Sequence, residues 1–128
     1  MIIVHGPQPW GEFGGSDRLV YGNLEAWRVL EEANKAGKIR AIGLSDFQEN
    51  DVENILNNGE VKPVINQVLA HISNTLLELI NFCNDKDILV EPYSPVGYGA
   101  LFSNGAIADM DKNTVYVLLP VAGPAATV

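Results

Sequence analysis

Short apolar blocks alternate along the chain with longer segments in which apolar residues recur every three or four positions. Met1-Ile-Ile-Val-His5 is a continuous apolar run rich in β-branched residues, the pattern of a strand buried on both faces, as in parallel sheets. The Gly- and Pro-rich stretch from Gly6 to Gly22 predicts a long loop, and loops of that length usually carry function. Asn23 then reads as an N-cap with Glu25 in the first turn. Trp27, Leu30 and Asn34 form one stripe with Ala26, Val29 and Ala33 beside it, and Gly37 follows as a C′ residue. These signals predict a helix over 23–36. Residues 39–45 predict the next strand. Glu49–Asn58, with Val52, Ile55 and Leu56 at helical spacing, predicts a helix ending at Gly59. Val64–Val68 is a third strand.

Thr75-Leu-Leu-Glu78 has the form of a capping box, and Leu76, Leu79, Ile80 and Cys83 continue it as a core-facing stripe. Ile88–Glu91 is a fourth strand, running into the turn-forming segment Pro92–Gly99. Beyond it, Gly105–Asp111 suggests a short helix, Thr114–Leu119 a strand, and Pro120–Val128 a tail. Four strands alternating with three helices predict α/β architecture: parallel βαβ units with right-handed crossovers in a single domain.

The chain has 128 residues, 47% of them apolar and 19% charged, a globular rather than a disordered balance. Sixteen Asp and Glu against eight scattered Lys and Arg give a net charge of −8. That argues against nucleic acid and against an anionic membrane surface, both of which select clustered basic residues. No stretch reaches the ~20 apolar residues of a membrane span, and no signal-peptide pattern opens the chain. Cys83 is the single cysteine, which suits the reducing cytoplasm and excludes a cysteine-rich zinc site. His71 has no second ligand at metal-binding spacing, so no metal site is expected.

In parallel α/β sheets, ligands sit beyond the C-terminal ends of the strands. His5, Ser45-Asp46, Asn66-Gln67 and Tyr93-Ser94 all fall at such ends. His5 suits hydrogen bonding or proton work near neutrality, or is a strand-end side chain satisfied by a carbonyl. Asp46 is a ligand contact, or the N-cap or turn former of the next helix. Gln67 puts an amide in an apolar strand and needs partners, from backbone or ligand. Tyr93 is a core aromatic or a flat stacking platform. The turn after it could offer backbone N–H groups to a phosphate. Cys83, on an apolar stripe, reads as a buried inert thiol.

Taken in order, these segments resemble the signatures of the aldo-keto reductases. Gly37–Phe47 (GKIRAIGLSDF) resembles a family segment that usually ends Ser-Asn-Phe. Lys62–Val68 (KPVINQV) resembles its K-P-x-x-N-Q strand, Pro92–Gly97 (PYSPVG) its A-Y-S-P-L-G turn, and Val4–Pro7 its I-H-W-P strand end. The resemblance covers residues 1–102 and leaves 103–128 as an atypical tail. It implies part of a (β/α)8 TIM barrel and hydride transfer from NADPH, or NADH, to a small aldehyde or ketone. Residue by residue, it implies that His5 orients the substrate carbonyl, that Ser45, Asp46 and Gln67 hold the nicotinamide carboxamide, that Tyr93 stacks on the ring, and that Ser94, Val96 and Gly97 lie along the pyrophosphate.

The departures from the family pattern carry consequences. Gly6 stands where the family has Trp, so Trp10 is the candidate to supply that substrate wall. Asp46 replaces Asn, and a carboxylate can accept but not donate. The family's catalytic Asp, Tyr and Lys lie on strands earlier than any here, and its basic adenosine-phosphate segment has no counterpart. The expectation is therefore a chain inactive by itself. The alternative is a non-catalytic half-barrel that binds nucleotide weakly or associates with itself through exposed sheet edges.

Overall fold

In the computed structural model, residues 1–8, 20–103 and 105 are described. The elements follow in the order β1 (Ile2–Val4), α1 (Val20–Lys35), β2 (Ile42–Ser45), α2 (Glu49–Asn58), β3 (Ile65–Leu69), α3 (Leu77–Asp85), β4 (Leu89–Tyr93) and a 3-10 helix over Gly97–Ser103. The four strands form one parallel sheet in the order β1-β2-β3-β4, as the alternation of strands and helices predicts. Ile3 pairs with Gly43, Val4 with Leu44, Leu44 with Asn66, and Ser45 with Gln67.

Period-two alternation sorts these strands into two faces. Ile42, Leu44, Asn66 and Val68 are buried with Trp27 of α1, Val52 and Ile55 of α2, and Leu79 and Cys83 of α3. This is the helix-covered face, and its packing is the main source of stability. Ile3, Gly43 and Ile65 line the other face. A Cβ at Gly43 would collide with Ile65 Cγ2 and lie 3.5 Å from Ile3 Cγ1, so glycine at 43 is what lets the three strands close up.

Packing divides the chain into two compact units: residues 1–68 with 76–91, and residues 69–75 with 92–128. The first holds α1–α3 and most of the sheet. In the second, Ala70 N–H donates to the Tyr93 carbonyl at 3.4 Å, His71 and Asn74 exchange backbone hydrogen bonds, and the Asn74 amide donates to Leu69 O at 2.8 Å. No helix among the described residues is long and apolar enough to cross a membrane.

Several element ends differ from the sequence expectation. Helix α1 starts at Val20, so Asn23 lies inside the helix, buried, and its amide donates to Pro7 O at 3.2 Å. It is a tether to the β1–α1 connection rather than a cap, and Glu25 falls beyond the first turn. Val29 is 65% exposed, so the buried stripe is narrower than the sequence suggests. At the other end, Lys38 N–H reaches Ala33 O and Gly37 N–H reaches Asn34 O, each at 2.9 Å, with Gly37 at φ +71°. This is the Schellman closure that a C′ glycine predicts. The Thr75 capping box does not form: α3 starts at Leu77, preceded by Leu76 in the left-handed region at φ +47°. Helix α2 has the reach-back bond instead, with Gln48 N–H donating to Asp51 Oδ2 at 2.9 Å. Strand β4 runs to Tyr93, because Pro92 interrupts one donor without ending the extended backbone. The expected short helix over 105–111 and strand over 114–119 lie, apart from Gly105, outside the described residues.

Two polar groups tie α1 to the connection between α2 and β3. Trp27, fully buried, donates its indole N–H to Val61 O at 3.1 Å. Glu31, one turn on and 4% exposed, accepts the backbone N–H groups of Glu60 (2.6 Å) and Val61 (2.8 Å). Charge-assisted bonds of this kind satisfy donors that the turn leaves open.

Candidate active site

The polar residues at the strand ends inherit their placement from the register. Ser45 and Gln67 are direct partners on neighbouring parallel strands, so their side chains leave the sheet on the same face, continuing the line of Gly43 and Ile65. Val4, the last residue of β1, pairs with Leu44, and His5 and Ser45 come next in the chain. Ser45 and Gln67 thus sit side by side toward the C-terminal ends of β2 and β3, on the face turned away from the helices, and His5 follows directly after β1. Ser45 is buried, Gln67 half-buried and His5 exposed.

The chain turns sharply after Ser45. Asp46 occupies the left-handed region at φ +57°, and its N–H donates to Gln67 O at 2.8 Å. Asn and Asp are the non-glycine residues that enter this region most readily. The backbone therefore accepts Asp where the family pattern has Asn, and the difference lies in the donor that the side chain lacks. Asp46 is a turn former and not an N-cap, since Gln48 caps α2.

The sequence sets Asn66 among the strand-end groups without pointing to a role for it. It is fully buried on the helix face, and its amide donates to Phe47 O at 2.8 Å. The same Nδ2 lies 3.9 Å from Cys83 Sγ, while Oδ1 has no partner. The signal was present, because a buried amide in an apolar strand needs partners at 66 as much as at 67. Cys83 is buried and free. Burial pushes its thiol above the ordinary range, and the Asn66 hydrogen bond offsets this only in part. Such a thiol is inert packing.

In the second unit, Tyr93 closes β4 and is half-buried. Ser94 and Gly97 adopt positive φ, +51° and +56°. Gly97 N–H donates to Ser94 O at 2.8 Å, and Gly99 N–H donates to Val96 O at 3.0 Å. The Gly97 N–H is therefore committed inside the turn, and its contribution to an anion cradle would be conformational. A Cβ at Gly97 would sit 3.2 Å from Leu101 Cγ. Trp10, the candidate substrate wall, lies outside the described residues.

Comparison with known proteins places this geometry. The family model described as "Aldo/keto reductase family" matches residues 1–115. The glyoxal reductase of Bacillus subtilis is 38% identical over 123 residues, covering 93% of this chain and 41% of that protein. Among solved structures, an aldo-keto reductase of Bombyx mori in complex with NADP superposes with a TM-score of 0.63 at 30% identity, over 73% of this chain and 30% of that one. Gox0644 in its apo form gives a TM-score of 0.72 at 26% identity, over 91% of this chain and 40% of that one. The chain thus spans about two-fifths of the curated relative and of the Gox0644 structure, and its parallel sheet with alternating helices corresponds to part of a TIM barrel. By its motifs, its sheet and these matches, the chain belongs to the aldo/keto reductase family.

Proposed function

We propose that this chain provides the nicotinamide-binding half of an NADPH- or NADH-dependent reductase acting on a small aldehyde or ketone. The observation that carries the assignment is the register pairing of Ser45 with Gln67. It sets a hydroxyl and a primary amide side by side at the strand ends, a donor and acceptor set that fits a carboxamide. The nicotinamide, when bound, supplies the hydride to the carbonyl carbon.

The residues of this chain bind and orient. Gln67 and Ser45 hold the carboxamide and so fix the rotation of the ring. Asp46 accepts the carboxamide N–H but donates nothing, which leaves the carboxamide oxygen to the other two. For the second unit the support is the family motif alone: the segment Pro92–Gly97 assigns Tyr93 to the ring and Ser94, Val96 and Gly97 to the pyrophosphate. His5, exposed just after β1, orients the substrate carbonyl. The single buried thiol is in keeping with a cytoplasmic protein.

Titration with reduced nicotinamide mononucleotide, followed by its fluorescence, tests this assignment. Gln67→Ala is expected to weaken binding about tenfold, the ~1.5 kcal/mol typical of a lost hydrogen bond in a desolvated site. Equal affinity in Gln67→Ala and the unaltered chain would remove Gln67 from the site.

A further inference from the structure

We propose that Asn66 is a positioning residue for the carboxamide site: from the helix side of the sheet, it fixes the Ser45–Phe47 turn against Gln67. This rests on the assignment of Ser45, Asp46 and Gln67 above. The dipeptide Asn66-Gln67 grips the turn twice. The Gln67 carbonyl accepts Asp46 N–H at 2.8 Å, and the Asn66 amide donates to Phe47 O at 2.8 Å. The two bonds fall on consecutive residues of the turn, one on each side of the Asp46–Phe47 peptide. Together they set how that peptide sits over the end of β3.

The turn needs such a hold. Asp46 sits at φ +57°, a region that Asp enters more readily than most residues but that still costs free energy the surroundings must offset. Phe47 is fully buried, so its carbonyl has no solvent to turn to. The cost side of the geometry points the same way. Asn66 is 0% exposed and leaves Oδ1 without a partner. An apolar side chain would fill the space without an orphaned oxygen. The amide's bond to Phe47 O is the return on that burial. Alternation of side chains keeps Asn66 off the ligand face, so it acts through the turn and touches no ligand itself.

Backbone amide hydrogen exchange of the unaltered chain, Asn66→Leu and Asn66→Val decides the matter. Leucine keeps the branched outline of the amide and valine suits the strand, so a folding failure in one variant leaves the other to read. The Asp46 amide is expected to exchange at least tenfold faster in the variant, relative to the Leu44 amide in the same molecule. Ile55→Val serves as a control for general loosening and should leave that ratio unchanged. The dissociation constant for reduced nicotinamide mononucleotide should rise about tenfold in Asn66→Leu, though the substituted side chain lies on the opposite face. An unchanged Asp46-to-Leu44 ratio would overturn the proposal, as would a faster Asp46 amide with undiminished nucleotide affinity. If the unaltered chain binds no nucleotide, the carboxamide assignment fails, and the exchange ratio still decides whether Asn66 holds the turn.

Discussion

Presented with NADPH and a reactive aldehyde, the 128 residues alone should consume cofactor at least ~100-fold more slowly than the full-length glyoxal reductase of Bacillus subtilis. The reason is the proton. Reduction of a carbonyl needs a hydride at carbon and a proton at oxygen, and general acid catalysis typically contributes ~10²–10⁴-fold. In the family pattern a tyrosine on an earlier strand donates that proton, tuned by a lysine. The tyrosines here are Tyr21, Tyr93, Tyr98 and Tyr116, all later in the chain than β1. His5 can orient the carbonyl, but the family donor is not among the strand-end groups of this chain. The assay is reduced-cofactor absorbance under identical conditions for both proteins. Steady turnover by the 128 residues, abolished in His5→Ala, would contradict this and make His5 the proton donor.

Trp27→Ala should cost about 3–5 kcal/mol, the usual range for emptying a buried aromatic position, with roughly 1 kcal/mol more for the stranded Val61 carbonyl. Trp27 is fully buried, and its ring lies where a Cβ on Gly59 would come within 3.0 Å of it. The cavity would open under the connection that delivers β3 to the sheet. Against a total stability of about 5–15 kcal/mol for an ordinary domain, that loss leaves little. Urea denaturation followed by circular dichroism measures it. Trp27→Phe should lose only about 1–2 kcal/mol, because it keeps most of the packing and gives up the indole N–H. A cost below about 1 kcal/mol for the alanine variant would mean that α1 does not anchor this connection.

The strands were legible because short β-branched runs between turn residues have few other outcomes. Their order followed from the alternation with helices. The starts of helices were less legible, for a tertiary reason. Asn23 has the side chain of a cap, yet its partner is Pro7 O, sixteen residues back, so the helix extends past it. Thr75 and Glu78 have the spacing of a capping box, but Leu76 enters the left-handed region and breaks the geometry the box requires.

Glu31 was legible in principle. It lies four residues after Trp27, on the same buried stripe, and a carboxylate there must find donors. Which donors it finds, Glu60 and Val61, depends on the fold. At the strand ends, the alternation already set His5, Ser45 and Gln67 at C-terminal positions. That Ser45 and Gln67 are direct partners required the register. Asn66 was overlooked because its neighbour has the more familiar role, although the physical argument applies equally to both amides.

The most direct test of the central claim is an isotope-edited NMR titration of the chain with reduced nicotinamide mononucleotide, set against ribose 5-phosphate, which shares the sugar phosphate but lacks the carboxamide ring. The Gln67 side-chain amide and the backbone amides of Ser45 and Asp46 should shift with the nicotinamide compound and stay in place with the ribose phosphate. Shifts of equal size with both ligands, or none at these residues with the nicotinamide compound, would contradict it.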